Sequence, residues 1–155
     1  QLEWHRHVVH FGMFAVCLIL AFSIARPNPF SFGGARNDQF DPMHPGIVRF
    51  TRHPILIALS FWAGLHMLPN GDLAHFLLFG VLGGFALLGR TLINARKRRD
   101  IGAANWAYLD AKVAKSSYLQ APKSLSGAVT RASAGLLAFI ILLALHPVVI
   151  GVSAL

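Results

Sequence analysis

Four apolar stretches separated by short polar segments leave this chain few folds to choose from. The first, Val8 to Ala25 (VVHFGMFAVCLILAFSIA), runs 18 residues without a formal charge between Arg6 and Arg26. A helix of roughly 20 such residues crosses a hydrocarbon core of about 30 Å. The second starts at Pro54, whose missing amide hydrogen suits a first helical turn, and stops at Pro69, Asn70 and Gly71. Asp72 then stands where a carboxylate can cap the third stretch by accepting from its free amides. The fourth runs from Gly127 to the end of the chain, with Pro147 and Gly151 set to bend or end it. The predicted helices are 8–25, 54–68, 72–93 and 127–150, in a single membrane domain over residues 1–155.

The composition agrees: 55% of the 155 residues are hydrophobic and 13% charged, with a mean hydropathy of +0.55, where a soluble domain carries about a quarter charged residues. The expected fold is an all-α integral membrane protein with four transmembrane helices. Helix two needs help to cross, because 15 residues span only about 22 Å. A start nearer Ile47 and snorkelling arginines would make up the difference. The net charge of +8 falls in loops 26–53 and 94–126, where lipid headgroups meet it, and this argues against a nucleic-acid partner. The turn after helix two holds no Lys or Arg, so the basic loops face the cytoplasm and both termini face away from it. The first apolar run has no small-residue cleavage site behind it and reads as retained.

Within the second basic loop, Ile101, Trp106, Leu109 and Val113 recur at helical spacing among Asp110, Lys112 and Lys115. That is the pattern of a helix lying in the headgroup plane between helices three and four. Arg52, His53, Arg96, Lys97, Arg98, Arg99 and Trp106 are the expected contacts with the lipid interface. Small residues at Gly80 and Gly84, matched by Ser60 and Gly64 and by Ala134 and Ala138, would let helices approach closely.

Cys17 is the only cysteine, which excludes an internal disulfide and a cysteine-based metal centre. No Gly-x-Ser-x-Gly segment and no glycine-rich phosphate loop occurs. The chemistry-bearing residues are histidines. On the predicted topology His5, His7, His10, His66, His75 and His146 lie toward the outer side, and His44 and His53 toward the inner side. An imidazole near hydrocarbon must pair its nitrogens, and facing helices can offer two imidazoles to one haem iron. The possible ligands are His10, His66, His75 and His146, with His66 paired to His10 or His146 as the first choice. The competing reading gives each ring a structural partner: free carbonyls at its own helix end for His66, a wet interface for His75, a helix end before proline for His146.

Two resemblances bear on function. Arg52-His53-Pro54 is similar to a tripeptide preceding a helix in membrane methyltransferases of the isoprenylcysteine and phospholipid type. Those enzymes also use acidic residues further along, whereas here the only glutamate is Glu3 and helix four has no carboxylate. The wider pattern, RHPILIALSFWAGLHMLPNGDLAHFLLFG with RKRR after helix three and the closing LHPVVIG, resembles the NnrU family of membrane proteins over residues 44–155. Helix one with PNPFSFGG is similar too. The resemblance implies a bacterial cytoplasmic membrane protein linked to nitric oxide metabolism and denitrification. It also implies further helices, with an early histidine, ahead of the first one here. The related 15-cis-zeta-carotene isomerase uses haem b, so His53, His66 and His146 become the matched motif positions. Two functions are then expected. One is a haem b protein in nitrogen-oxide, redox or polyene cis-trans isomerisation chemistry. The other is a non-catalytic subunit packed against a larger photosynthetic or respiratory membrane complex, binding lipid, carotenoid or another apolar ligand.

Overall fold

The computed structural model describes residues 3–151, and these are helical without a strand. Five helices follow one another: α1 (Glu3–Ser23), α2 (Pro54–Met67), α3 (Leu73–Asp100), α4 (Ala103–Lys115) and α5 (Leu125–Ile150), with 3₁₀ turns at Asn37–Gln39 and Gly46–Arg49. By length and apolarity α1, α3 and α5 could each cross a membrane, while α2 is a shorter apolar helix. Its 14 residues rise about 21 Å. The expected lengthening toward Ile47 does not occur. Pro54 pushes the residue before it out of the helical region, and His53 sits at φ −121°, ψ 61°.

The four longer helices pack in the order α5, α1, α2, α3. Lipid tails are as apolar as leucine, so close van der Waals contact rather than apolar burial must hold such helices together. One glycine serves each junction. A Cβ at Gly135 of α5 would lie 3.3 Å from the Cys17 carbonyl of α1, one at Gly12 of α1 would lie 2.6 Å from the Leu65 side chain of α2, and one at Gly83 of α3 would lie 3.2 Å from Ala63 of α2. The predicted small-residue positions need correction here: Gly64, Gly80 and Gly84 meet nothing within 4 Å, and on α5 it is Gly135 rather than Ala134 or Ala138 that is buried. Ser60 does contribute, through its carbonyl near Gly83. Phe76, Val81, Phe85 and Leu88 of α3 and Val148 of α5 are more than half exposed, a surface suited to hydrocarbon. Arg131 of α5 adds a polar fastening. Its guanidinium donates to the carbonyls of Ala21 (2.5 Å) and Ile24 (3.1 Å), groups that have no amide partner at the end of α1.

The helix ends follow their local chemistry. Asp72 accepts from the His75 amide at 3.0 Å and caps α3, and Ser124 accepts from the Gly127 amide and caps α5. Pro147 lies inside α5, which closes at Gly151 with φ +82°, a value that glycine adopts at little cost. α3 does not stop near Ile93 but runs on to Asp100, so Arg96, Lys97, Arg98 and Arg99 belong to its last turns rather than to a loop. Nothing from Thr91 to Asp100 breaks a helix; the break comes at Gly102, with φ +83°.

The predicted amphipathic helix is present as α4, but its apolar face is turned onto protein. Trp106 and Val113 join Phe30 and Val48 in a buried cluster, with Phe40, Ile101 and Leu109 against it. The Phe30 and Trp106 rings meet edge to face at 4.9 Å. Trp106, expected at the lipid interface, is 8% exposed. α4 therefore closes over the 26–53 segment and forms a small globular cap at the end of the helices where α2 begins and α3 ends.

Candidate functional site

Two sites carry chemistry, one at each end of the bundle. The first site is built on the last turn of α2. The Nδ1 of His66 lies 2.9 Å from the Trp62 carbonyl oxygen, which can only accept, so Nδ1 holds the proton and Nε2 keeps the lone pair. Its ring lies between Trp62, 4.8 Å away, and Phe79 of α3, 4.9 Å away. Asn70 closes the turn by donating to the His66 carbonyl at 2.7 Å. His146 of α5 lies toward the same end, because α5 runs antiparallel to α1, with Phe139 against Phe14 and Gly135 against Cys17. Gly12 of α1 packs on Leu65, which brings the half-buried His10 to the same level as His66.

His75 is engaged differently. Its Nδ1 pairs with the Asp72 carboxylate at 2.5 Å, and its ring stacks at 6.3 Å on the face of Phe79. The His75 amide, more than any other group, holds the Asp72 carboxyl below its ordinary value. Of the four candidate ligands, His10, His66 and His146 lie toward one end of the helices, and His75 is tied to the cap of its own helix. Among the described residues no group of three or more His, Cys, Asp or Glu side chains could hold a bare metal ion. A macrocycle needs only two axial ligands.

The second site, at the start of α2, is more fully constructed. His53 is 2% exposed, and both ring nitrogens are engaged at 2.9 Å, Nδ1 with Ser31 Oγ and Nε2 with Asn94 Oδ1. If Asn94 presents its amide oxygen, Nε2 carries the proton and the Ser31 hydroxyl donates to Nδ1. Burial, more than any neighbouring charge, pushes the His53 pKa down, so the ring favours its neutral form. Asn28, also buried, aligns the surrounding chain. Its side chain donates to the Arg52 carbonyl at 3.0 Å and accepts from the Phe30 amide, while its own amide donates to Asn37 Oδ1 at 2.8 Å. Arg52 pairs with Asp110 of α4 at 2.5 Å. Arg49 donates to the carbonyls of Ser116 and Ala114 and lies 3.7 Å over the Tyr118 ring. On the same cap, the Lys123 ammonium beside Asp41, with the Met43 amide and His44, holds that carboxyl well below the usual range.

These contacts correct the reading of Arg52 and His53 as lipid anchors: one is ion-paired across to α4 and the other is enclosed. Arg96, Arg98 and Arg99 remain exposed on α3, with Arg96 and Lys97 about an ion-pair distance from Asp100. Sequence reasoning missed Ser31, Asn94, Asn28 and Asp110. The isolated Asn28 between Pro27 and Pro29, and the scarcity of acidic residues that makes Asp110 conspicuous, were the available signals.

Around His53 lies a cavity of about 270 Å³ walled by Arg49, Arg52, Arg90, Asn94 and Asp110, with Phe50 and Val113 on its apolar side. A second cavity of about 230 Å³ adjoins it through Arg52 and Asn94. No curated protein and no solved structure matches the chain. A family model described as NnrU protein matches residues 1–154.

Proposed function

The chain belongs to the NnrU family, and from that premise we propose that it is a haem b protein of the bacterial cytoplasmic membrane, with α2 as a fourth span and both termini on the outer side. The observation that carries this reading is the 2.9 Å contact of His66 Nδ1 with the Trp62 carbonyl oxygen. A metal-binding imidazole commonly donates its second nitrogen to a carbonyl, which fixes the ring and leaves the other nitrogen for the metal. His66 does this through Trp62. His10 or His146 would be the second residue to hold the group, since both lie toward the same end of the helices as His66. His75 is a cap residue, and His10 lines the same end of the bundle. Bound there, haem would supply iron redox chemistry, for nitrogen-oxide conversion or isomerisation of a polyene. Trp62 and Phe79 fix the angle of the His66 ring and supply apolar wall against it. The apolar faces of α3 and α5 give a lipid-soluble substrate a route from the bilayer.

The test is the visible spectrum of the full chain purified in detergent from haem-replete cells. An intense haem band that His66→Ala removes, His10→Ala or His146→Ala shifts or weakens, and His75→Ala leaves intact is the expected outcome. A protein that remains colourless with reconstituted haem would overturn the proposal. Stoichiometric co-purification with other membrane subunits would then favour the packing role.

A further inference from the structure

The inner cavity has a charge pattern that the haem reading does not use. Four arginines, Arg49, Arg52, Arg90 and Arg98, line the two adjoining cavities, and Asp110 is the single carboxylate in either wall. That carboxylate is already taken by Arg52. Arg49 is tethered by two carbonyls, which carry no net charge to offset its own. Arg90 makes no ion pair among the described residues, yet it is near enough to His53 to act on that ring. His53 supplies no counter-charge, because an imidazole is neutral or cationic, and its two nitrogens are already engaged with Ser31 and Asn94. The site is therefore a pre-formed cationic recess with a net positive wall, and such a recess favours an anion with several acceptor oxygens.

Its position says which anion. The recess lies where α3 leaves its apolar segment: Arg90 is about 26 Å along the helix from Leu73, close to the depth at which headgroups begin. Phe50, 69% exposed, stands on its wall, so an acyl chain could leave the recess along an apolar surface. We propose that this recess binds a phosphate ester, with the phosphoryl group between Arg90 and the fixed guanidinium of Arg49. The ester is either the headgroup of an anionic lipid or a soluble phosphate compound from the cytoplasmic side. Asn94 is the positioning residue that shares its contacts between His53 and the recess. The site is separate from the histidines at the opposite end of the bundle, and its test does not depend on them.

The experiment is a thermal-shift titration of the full chain in detergent with three probes: short-chain phosphatidic acid, short-chain phosphatidylcholine and inorganic phosphate. Phosphatidic acid is expected to raise the melting temperature saturably. Arg90→Gln is expected to weaken that response about tenfold, the size of one charge-assisted hydrogen bond. Arg90→Lys should recover part of it, and Arg99→Gln, which removes an equal charge outside the recess, should leave it unchanged. Saturation by phosphatidic acid alone assigns the site to a lipid headgroup, and equal saturation by inorganic phosphate assigns it to a soluble phosphate compound. If Arg90→Gln and Arg99→Gln weaken binding equally, or if phosphatidylcholine stabilises as well as phosphatidic acid, the proposal is overturned.

Discussion

Replacing His53 with alanine should destabilise the inner cap far more than its place in a loop would indicate. The ring is 2% exposed and bonded on both sides, and Ser31, its partner on Nδ1, is equally buried. Removing the ring strands the Ser31 hydroxyl, which costs about 1–3 kcal/mol for an unpaired buried polar group. Asn94 is only half-buried, so water replaces part of what it loses, and the space left by the ring adds about 1–2 kcal/mol. The expected total is about 2–5 kcal/mol, read from equilibrium unfolding of the detergent-solubilised protein. Because burial lowers the His53 pKa from its ordinary 6.5, the unfolded chain binds a proton there before the folded one does. Stability contributed by this ring is thus full above about pH 6.5, declines as the pH falls below that value, and levels off below the lowered pKa. The His53→Ala variant should lack that component of the pH slope. A double-mutant cycle with Ser31→Ala should show coupling of about 1 kcal/mol. A loss under about 1 kcal/mol, or strictly additive effects of the two substitutions, would refute the assignment of His53 as the buried keystone of the cap.

The helix junctions give a paired prediction: Gly135→Val should impair folding of the bundle in detergent, because its Cβ would meet the Cys17 carbonyl at 3.3 Å, while Gly80→Ala and Gly84→Ala, facing open space, should be neutral or stabilising by up to about 1 kcal/mol each. Thermal unfolding of the three variants checks this. Trp106→Ala should cost about 3–5 kcal/mol as a buried aromatic is removed from its cluster. Limited proteolysis should then cut the 26–53 segment first and leave the long helices intact.

Residue types and their order along the chain are enough to establish an all-helical chain with helices apolar enough to cross a membrane, and the starts of α2 and α3, whereas α1 begins at Glu3 rather than at Val8. Pro54, Asp72 and the apolar runs each act on their own neighbours, so their effects are visible without a fold. The Asp72 cap forms where the sequence places it, and α4 forms where the 101–113 periodicity puts it. The gathering of His10, His66 and His146 toward one end of the helices was legible for the same reason, since a helix's direction fixes which end each residue occupies.

What needed tertiary structure is everything that depends on which face meets which neighbour. Small residues are spread along every helix, and only the packing order selects Gly12, Gly83 and Gly135 over Gly64, Gly80 and Gly84. The apolar face of α4 could have met lipid equally well by composition. It meets Phe30 and Val48 instead because the 26–53 segment, drawn together by Asn28 across 24 residues, offers a surface to cover. The enclosure of His53 by Ser31 and Asn94 is of the same kind: three residues from three segments, whose attraction is short-ranged and directional, become a site only when the chain between them has folded.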